Sequence, residues 1–119
     1  LLFGCRRSSE DFLYEAELRK LAAERGDFSL HTAFSRDQAE KVYVQHRLQE
    51  EPLRSQVAAL LMWHGAHVYV CGDARKMPSD VREALAQALV QAAGLSPSHA
   101  DLYLTYLQQA GRYQQDVWF

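Results

Sequence analysis

The chain has 119 residues, of which 48% are hydrophobic and 24% are charged, a composition that fits one compact domain at the small end of the usual size range. Thirteen lysines and arginines against fifteen acidic residues give a formal net charge of −2, which excludes an overall basic field for a nucleic acid or an anionic membrane. No apolar run approaches the roughly 18 to 20 residues that a membrane span requires. The two cysteines, Cys5 and Cys71, are far apart in the chain, which argues against a disulfide scaffold and a thiolate metal site.

The first half of the chain combines short apolar strands with an amphipathic helix. Residues 1–3 form an apolar run typical of a strand that is buried on both faces. The helical spacing of the next apolar residues predicts a helix over about 10–24, with Gly26 as its left-handed stop. Alternation over 28–34 predicts a second strand, and we interpret 42–44 as the start of a helix. Because both ends of the chain are apolar, we expect them to lie in a core and the chain to be part of a longer one.

The second half contains two strands and three helices. The predicted elements are a helix at 53–63, a strand at 67–71, a helix from about 78 to 94, a helix from 97 to about 110, and a strand at 112–119. In the first of these helices we expect Val57, Leu60 and Leu61 to face the core, and in the last we expect Leu102, Tyr103, Tyr106 and Leu107 to do so. Helices alternate with short strands, so the pattern predicts an α/β fold with a doubly wound parallel sheet.

Ligands of open parallel sheets bind beyond the carboxyl ends of the strands. The residues at those ends are Cys5-Arg6-Arg7, Ser35-Arg36-Asp37, Cys71-Gly72-Asp73 and Asp116-Val117-Trp118. A phosphate monoester can accept a bidentate pair of hydrogen bonds from Arg36 and one from the Ser35 hydroxyl, while Lys41 adds a point charge. Tyr43 can stack on an adenine, and Gln45 can pair with a sugar or base edge. The set predicts a phosphorylated aromatic ligand.

Five segments, in this order, carry a resemblance to a known family. They are Phe3-Gly4-Cys5-Arg6-Arg7-Ser8, Ala33-Phe34-Ser35-Arg36-Asp37, Lys41-Val42-Tyr43-Val44-Gln45-His46, Val68-Tyr69-Val70-Cys71-Gly72-Asp73-Ala74-Arg75, and Gly111-Arg112-Tyr113 with Asp116-Val117-Trp118. Over essentially all 119 residues the chain resembles the C-terminal NADPH-binding part of the diflavin reductases. The resemblance implies that residues 1–119 are the C-terminal portion of a FAD/NAD(P)-binding domain of the ferredoxin-NADP reductase-like kind. It also implies that the sheet lacks its first central strand and the Gly-rich turn that binds the pyrophosphate.

The resemblance also implies a role for individual residues. Ser35, Arg36 and Lys41 would hold the 2′-phosphate that distinguishes NADPH from NADH, and Arg6 would lie near the phosphates. The remaining nucleotide-binding residues would be Val42, Tyr43, Val44, Gln45 and Asp80. The implied catalytic residues are Cys71, Asp116 and Trp118. Cys71 and Asp116 would position the nicotinamide and stabilise charge, and Trp118 would cover the flavin ring and swing aside.

The function that the resemblance implies is transfer of a hydride from NADPH to FAD. Electrons would then pass through FMN to a haem protein such as cytochrome P-450, with both flavins bound mainly by other regions. An NADP-binding remnant without turnover, or a diflavin reductase with another acceptor, similar to methionine synthase reductase, remain alternatives. The resemblance implies a place on the cytoplasmic side and allows an anchor in the endoplasmic reticulum membrane outside this segment. We expect no nucleic acid partner, no membrane contact from this segment and, from the scattered histidines, no metal.

Overall fold

The computed structural model describes all 119 residues, which form four strands and six helices. In chain order the elements are β1 (Leu2–Cys5), α1 (Ser8–Asp11), α2 (Glu15–Glu24), β2 (His31–Phe34), α3 (Val44–Arg47), α4 (Leu53–Trp63), β3 (Val68–Asp73), α5 (Met77–Ala93), α6 (Pro97–Gln109) and β4 (Tyr113–Trp118). The strands form two separate sheets, β1 with β2 and β3 with β4, and both pairs are parallel. This mixed α/β architecture with small parallel sheets confirms the predicted fold class, and it is consistent with an incomplete NADP-binding domain of the ferredoxin reductase-like kind. The chain divides into two compact units, Leu1–Arg47 and Leu48–Phe119.

In the first unit, both faces of the β1–β2 sheet are covered. On one face the Phe12 ring lies 5.0 Å from the Phe3 ring and 5.4 Å from the Phe34 ring, measured between centroids. On the other face, α3 lies so close that a Cβ added to Gly4 would stand 3.0 Å from Val44 Cγ1. The glycine therefore lets α3 pack directly on the backbone of β1.

The helix predicted over 10–24 is divided into α1 and α2. The chain leaves the helical path at 12–14, where Tyr14 takes a left-handed conformation with φ of 59°. The break accompanies the inward turn of Phe12 onto the sheet and leaves Leu13 and Tyr14 exposed. The prediction that Gly26 supplies a left-handed stop is wrong, because the φ of Gly26 is not positive; Arg25, which follows the last helical residue, is extended with φ of −111°.

The second strand is shorter than its alternating pattern suggests. It begins at His31 rather than at residue 28: His31 N–H donates to Leu1 O at 2.9 Å, and Leu2 pairs with His31. The N-terminal end is half exposed, with Leu1 at 52%, and Phe119 at the other end is 97% exposed, so the expectation that both ends lie in a core is wrong.

In the second unit, α5 forms the centre of the core. It packs against α4, α6 and β3, and Ala88 and Leu89 on it are fully buried. The bounds of α4 are those predicted, and α5 and α6 differ from prediction by a residue or so. None of the six helices combines the length and the apolar character that crossing a bilayer needs.

The inward-facing stripe of α6 differs from the predicted one. Leu102 is 63% exposed and Tyr106 is 54% exposed, whereas Leu104 and Leu107 are fully buried. The inner stripe therefore follows positions 100, 104 and 107. Of the four residues predicted to face inward, Leu107 is confirmed and Tyr103 is half-buried, whereas the prediction is wrong for Leu102 and Tyr106. Leu60 of α4 is likewise 48% exposed rather than buried.

The β3–β4 sheet has one covered face and one open face. Val70 and Tyr113 are buried, and α5 and α6 pack on this sheet. The residues that alternate with them include Tyr69, which is 70% exposed, and Trp118, which is 56% exposed. Since side chains alternate between the faces of a strand, the open face carries Tyr69, Cys71, Gln114, Asp116 and Trp118.

Candidate functional site

The predicted site residues fall into two groups, one in each unit. The first group lies where β1 and β2 end side by side. The ladder continues past both strands, since Ser35 N–H donates to Cys5 O at 3.0 Å and Arg36 N–H donates to Arg6 O at 2.8 Å. Parallel pairing therefore brings Arg6, Ser35 and Arg36 to one place, which we call the β1–β2 edge.

The cationic side chains of this region are available to a ligand. Arg6, Arg36 and Lys41 are all exposed, and none of them takes part in an ion pair. Ser35 next to them is 8% exposed and is the one buried polar residue of the chain. Unpaired guanidinium groups beside a hydroxyl donor are the groups that bind a phosphate well.

A cross-link between the two loops keeps this edge together. Asp37 accepts a hydrogen bond from Ser8 Oγ at 2.6 Å, and Ser8 N–H lies 3.3 Å from the same carboxylate. Arg7 Nη1 donates to Arg36 O at 3.3 Å. The pKa of the nearby Cys5 thiol is raised, chiefly by burial and further by the Asp11 and Asp37 carboxylates, so this cysteine stays protonated.

Gln38 organises the loop that follows β2. Its Nε2 group donates to Phe34 O and to Glu40 O, both at 2.7 Å. Sequence reasoning missed this residue, because an amide that bonds to backbone carbonyls leaves no pattern in the sequence. The bonds fix the loop that begins with Ser35 and Arg36.

The short helix α3 carries the next predicted residues. It begins at Val44, two residues after the predicted start at 42, and Arg47 Nε donates to Thr32 O at 2.9 Å. Val42, Val44 and Gln45 are half-buried, whereas Tyr43 is 40% exposed. With Val44 against Gly4 and Arg47 on β2, α3 is anchored to both strands, and its first residues lie next to the β1–β2 edge in the chain.

The second group lies on the open face of the β3–β4 sheet. Cys71 and Asp116 are direct partners in the parallel register, so their side chains leave the sheet on the same face. Both are exposed, and they line a shallow depression of about 300 Å³ together with Tyr69, Val70, Gln114 and Gln115. The structure thus brings the predicted catalytic cysteine and carboxylate together.

The carboxyl ends of β3 and β4 are held by local bonds. Ala74 N–H donates to Trp118 O at 2.7 Å, and Asp73 is the partner of Trp118 in the register. Hydrogen bonds from Arg75 lower the pKa of Asp73 to about 2. The last ladder positions are therefore fixed at the backbone, while the Trp118 indole remains 56% exposed.

Gly72 has a conformation that few other residues adopt. Its φ is +144°, and a Cβ built there would lie 2.8 Å from Met77 Cε.

Asp80 lies in the first turn of α5, and its carboxylate is 3.2 Å from Lys76 Nζ. Asp80 therefore belongs to the group in the second unit, although it was predicted with the nucleotide-binding residues. No group of three or more histidine, cysteine or acidic side chains is placed to hold a metal ion.

Comparison with known proteins identifies the family of the chain. Residues 1–83 match the family described as the oxidoreductase NAD-binding domain. The chain is 44% identical over 119 residues to NADPH oxidoreductase A of Dictyostelium discoideum, an alignment that covers 100% of this chain and 18% of that protein. It is 48% identical over 118 residues to NADPH-dependent diflavin oxidoreductase 1 of Bos taurus, covering 99% of this chain and 19% of that protein.

A third relative is NADPH–cytochrome P450 reductase of Cavia porcellus, which is 42% identical over 118 residues, covering 99% of this chain and 17% of the relative. The chain therefore spans less than a fifth of the length of these relatives. The family match covers well over half of the chain, which confirms the family that the motifs predicted. This chain belongs to the oxidoreductase NAD-binding domain family.

Proposed function

We propose that this chain is the NADPH-binding portion of a diflavin reductase. The observation that carries the proposal is the β1–β2 edge, where the exposed and unpaired Arg6 and Arg36 stand beside Ser35. Lys41, which is also exposed and unpaired, follows in the same unit. The relatives support it, since the three described above have NADPH in their names. The whole protein would pass a hydride from NADPH to FAD, and the electrons would continue through FMN to a haem protein.

The residues at the β1–β2 edge would select NADPH over NADH through the 2′-phosphate. Arg36 would donate two parallel hydrogen bonds to the phosphate, Ser35 would donate its hydroxyl proton, and Lys41 and Arg6 would add charge. The cross-link from Asp37 to Ser8 keeps the Asp37 carboxylate engaged with hydrogen-bond donors. This cross-link holds the loop after β1 against the loop after β2, so that the residues of the β1–β2 edge keep their places.

The open face of the β3–β4 sheet would receive the nicotinamide end. The Asp116 carboxylate would stabilise the positive charge that develops on the nicotinamide as the hydride leaves, and Cys71 opposite it would pack against the ring. The exposed indole of Trp118 offers a flat apolar surface for a flavin ring. FAD, when bound by other parts of the protein, would accept the hydride.

The electron acceptor that we propose is a haem protein of the cytochrome P-450 type. The name of the Cavia porcellus relative, NADPH–cytochrome P450 reductase, supports this choice. Relatives also include the sulfite reductase [NADPH] flavoprotein alpha-component of Vibrio cholerae, at 46% identity over 122 residues, so another acceptor is the second candidate. For a cytochrome P-450 acceptor we propose a location on the cytoplasmic side of the endoplasmic reticulum membrane.

The test measures coenzyme binding and flavin reduction in the whole protein, which includes the regions that bind the flavins. Arg36→Ala should weaken NADPH binding by about 1.5 to 3 kcal/mol, the value of a charge-assisted hydrogen bond, and should leave NADH binding unchanged. Arg25→Ala is the matched control, because Arg25 is an exposed arginine of the same unit that pairs with Asp27 and not with the proposed ligand. Equal losses for both coenzymes would contradict the 2′-phosphate assignment. Binding of NADPH with no reduction of the flavin would instead identify a nucleotide-binding protein without turnover.

A further inference from the structure

The imidazole of His46 closes the beginning of α3. Tyr43 N–H donates to His46 Nδ1 at 2.9 Å, and His46 N–H donates to Tyr43 O at 3.0 Å. In a capping box, the side chain of the third helical residue accepts from the backbone N–H of the residue before the helix, and that side chain is usually glutamate or glutamine. Here a histidine takes this position.

The accepting nitrogen fixes the chemical form of the ring. A histidine nitrogen accepts a hydrogen bond only when it carries no proton, so this hydrogen bond requires the ring proton to be on Nε2. The His46 ring also lies 5.6 Å from the Tyr43 ring between centroids, tilted by 34°. One side chain therefore contacts both the backbone and the ring of Tyr43.

The contacts described above that anchor α3 to the sheet do not involve Tyr43. The helix has four residues, far fewer than the dozen or so at which an isolated helix becomes even marginally stable. Its anchors to the strands, Val44 against Gly4 and Arg47 on Thr32 O, all lie after Tyr43 in the chain. Tyr43 is 40% exposed, and its backbone N–H, its carbonyl and its ring all contact His46.

We propose that His46 is a positioning residue, which holds the Tyr43 ring ready to stack on the adenine of a 2′-phosphorylated adenine nucleotide. The inference rests on the proposed function, because it takes the role of Tyr43 from there. His46 acts through Tyr43 and does not itself contact the nucleotide. Ordering the tyrosine before the ligand arrives lowers the entropic cost of binding.

The experiment measures binding of adenosine 2′,5′-bisphosphate to the full chain by calorimetry. His46→Phe keeps a ring of similar size but removes the acceptor, and it should raise Kd about fivefold, the change expected from one lost capping hydrogen bond. His46→Asn places an acceptor oxygen near the position of Nδ1, and it should recover most of the affinity. In a Tyr43→Ala background, His46→Phe should have no further effect, since residues that act as a unit are not additive.

The outcomes separate this inference from the function on which it rests. If the unchanged protein does not bind the bisphosphate, both are wrong. If it binds, and His46→Phe binds equally well or loses as much affinity in the Tyr43→Ala background, then the positioning role alone is wrong. Nitrogen chemical shifts of the His46 ring give a test without ligand or substitution, because a proton on Nδ1 would overturn the inference and leave the function intact. Thermal unfolding of each variant shows whether it is folded. If His46→Phe does not fold, the affinity of His46→Asn and the nitrogen chemical shifts of the His46 ring test the positioning role instead.

Discussion

A methyl group added at Gly72 should destabilise the protein more than a methyl group added at any other glycine. Gly72 combines a φ of +144° with the shortest distance from a built Cβ to a neighbouring atom, 2.8 Å to Met77 Cε. A residue held in such a sparsely populated backbone region costs about 1 to 3 kcal/mol, and we predict that Gly72→Ala lowers the free energy of unfolding by that amount. The contact with Met77 should contribute little, because Cε is the end of a flexible side chain.

Urea unfolding of the full chain tests this prediction. Gly26→Ala is the matched control, since nothing lies within 4 Å of a Cβ built at Gly26 and its φ is not positive. That substitution should be neutral or should stabilise by up to about 1 kcal/mol, by restricting the unfolded chain. If both variants unfold at the same urea concentration, the strain argument is wrong. If Met77→Ala restores the full stability of Gly72→Ala, the side-chain clash and not the backbone is the cause.

The other predictions concern the cross-link between Ser8 and Asp37, the exposed indole of Trp118 and the carboxylate of Asp73. Ser8→Ala should remove the hydroxyl bond to Asp37 without changing the charge and raise Kd for NADPH severalfold with little change in kcat, and an unchanged Kd would show that the cross-link does not support the edge. Trp118→Ala should improve the use of NADH, because the nicotinamide no longer competes with the indole; unchanged NADH kinetics would indicate a packing role. The pKa of Asp73, near 2 against an ordinary 3.8, gives stability that is present above about pH 4 and lost as the pH falls towards 2. Asp73→Asn should remove this part of the pH dependence of unfolding. A titration midpoint near 3.8 for the Asp73 carboxyl, measured by NMR, would contradict the lowered pKa on which this prediction rests.

Local signals were enough to predict the helices of the second unit. Pro52 precedes α4 directly, Pro97 opens α6, and Gly94 ends α5 in a left-handed conformation with φ of 74°, so the chain itself contains the start and stop signals. The break between α1 and α2 could not be predicted in this way. It accompanies contacts of Phe12 with Phe3 and Phe34, which are formed only when the chain has folded.

The residues of the candidate site also divide into those that could be predicted from the sequence and those that could not. The arginines and the serine at the β1–β2 edge could be predicted, because parallel strands must end side by side and charged residues follow them in the sequence. Gln38 and His46 could not, since each of them bonds to backbone atoms, and backbone atoms are the same at every position. The inward-facing stripe of α6 was predicted only in part, with Leu107 buried but Leu102 and Tyr106 exposed, because helical spacing alone does not say which of two overlapping apolar stripes meets the core.

The register of β3 and β4 limits which insertions and deletions the chain can tolerate. Cys71 and Asp116 share the open face because each occupies a position of the same parity in its strand. One extra residue between Tyr113 and Asp116 would turn the carboxylate toward the face that α5 and α6 cover, whereas two extra residues would return it to the open face. Residues added to the loop between α5 and α6 leave the strand pairing unchanged. Length variation among proteins that keep this pair of side chains should therefore accumulate in that loop, and within β4 it should come in even steps.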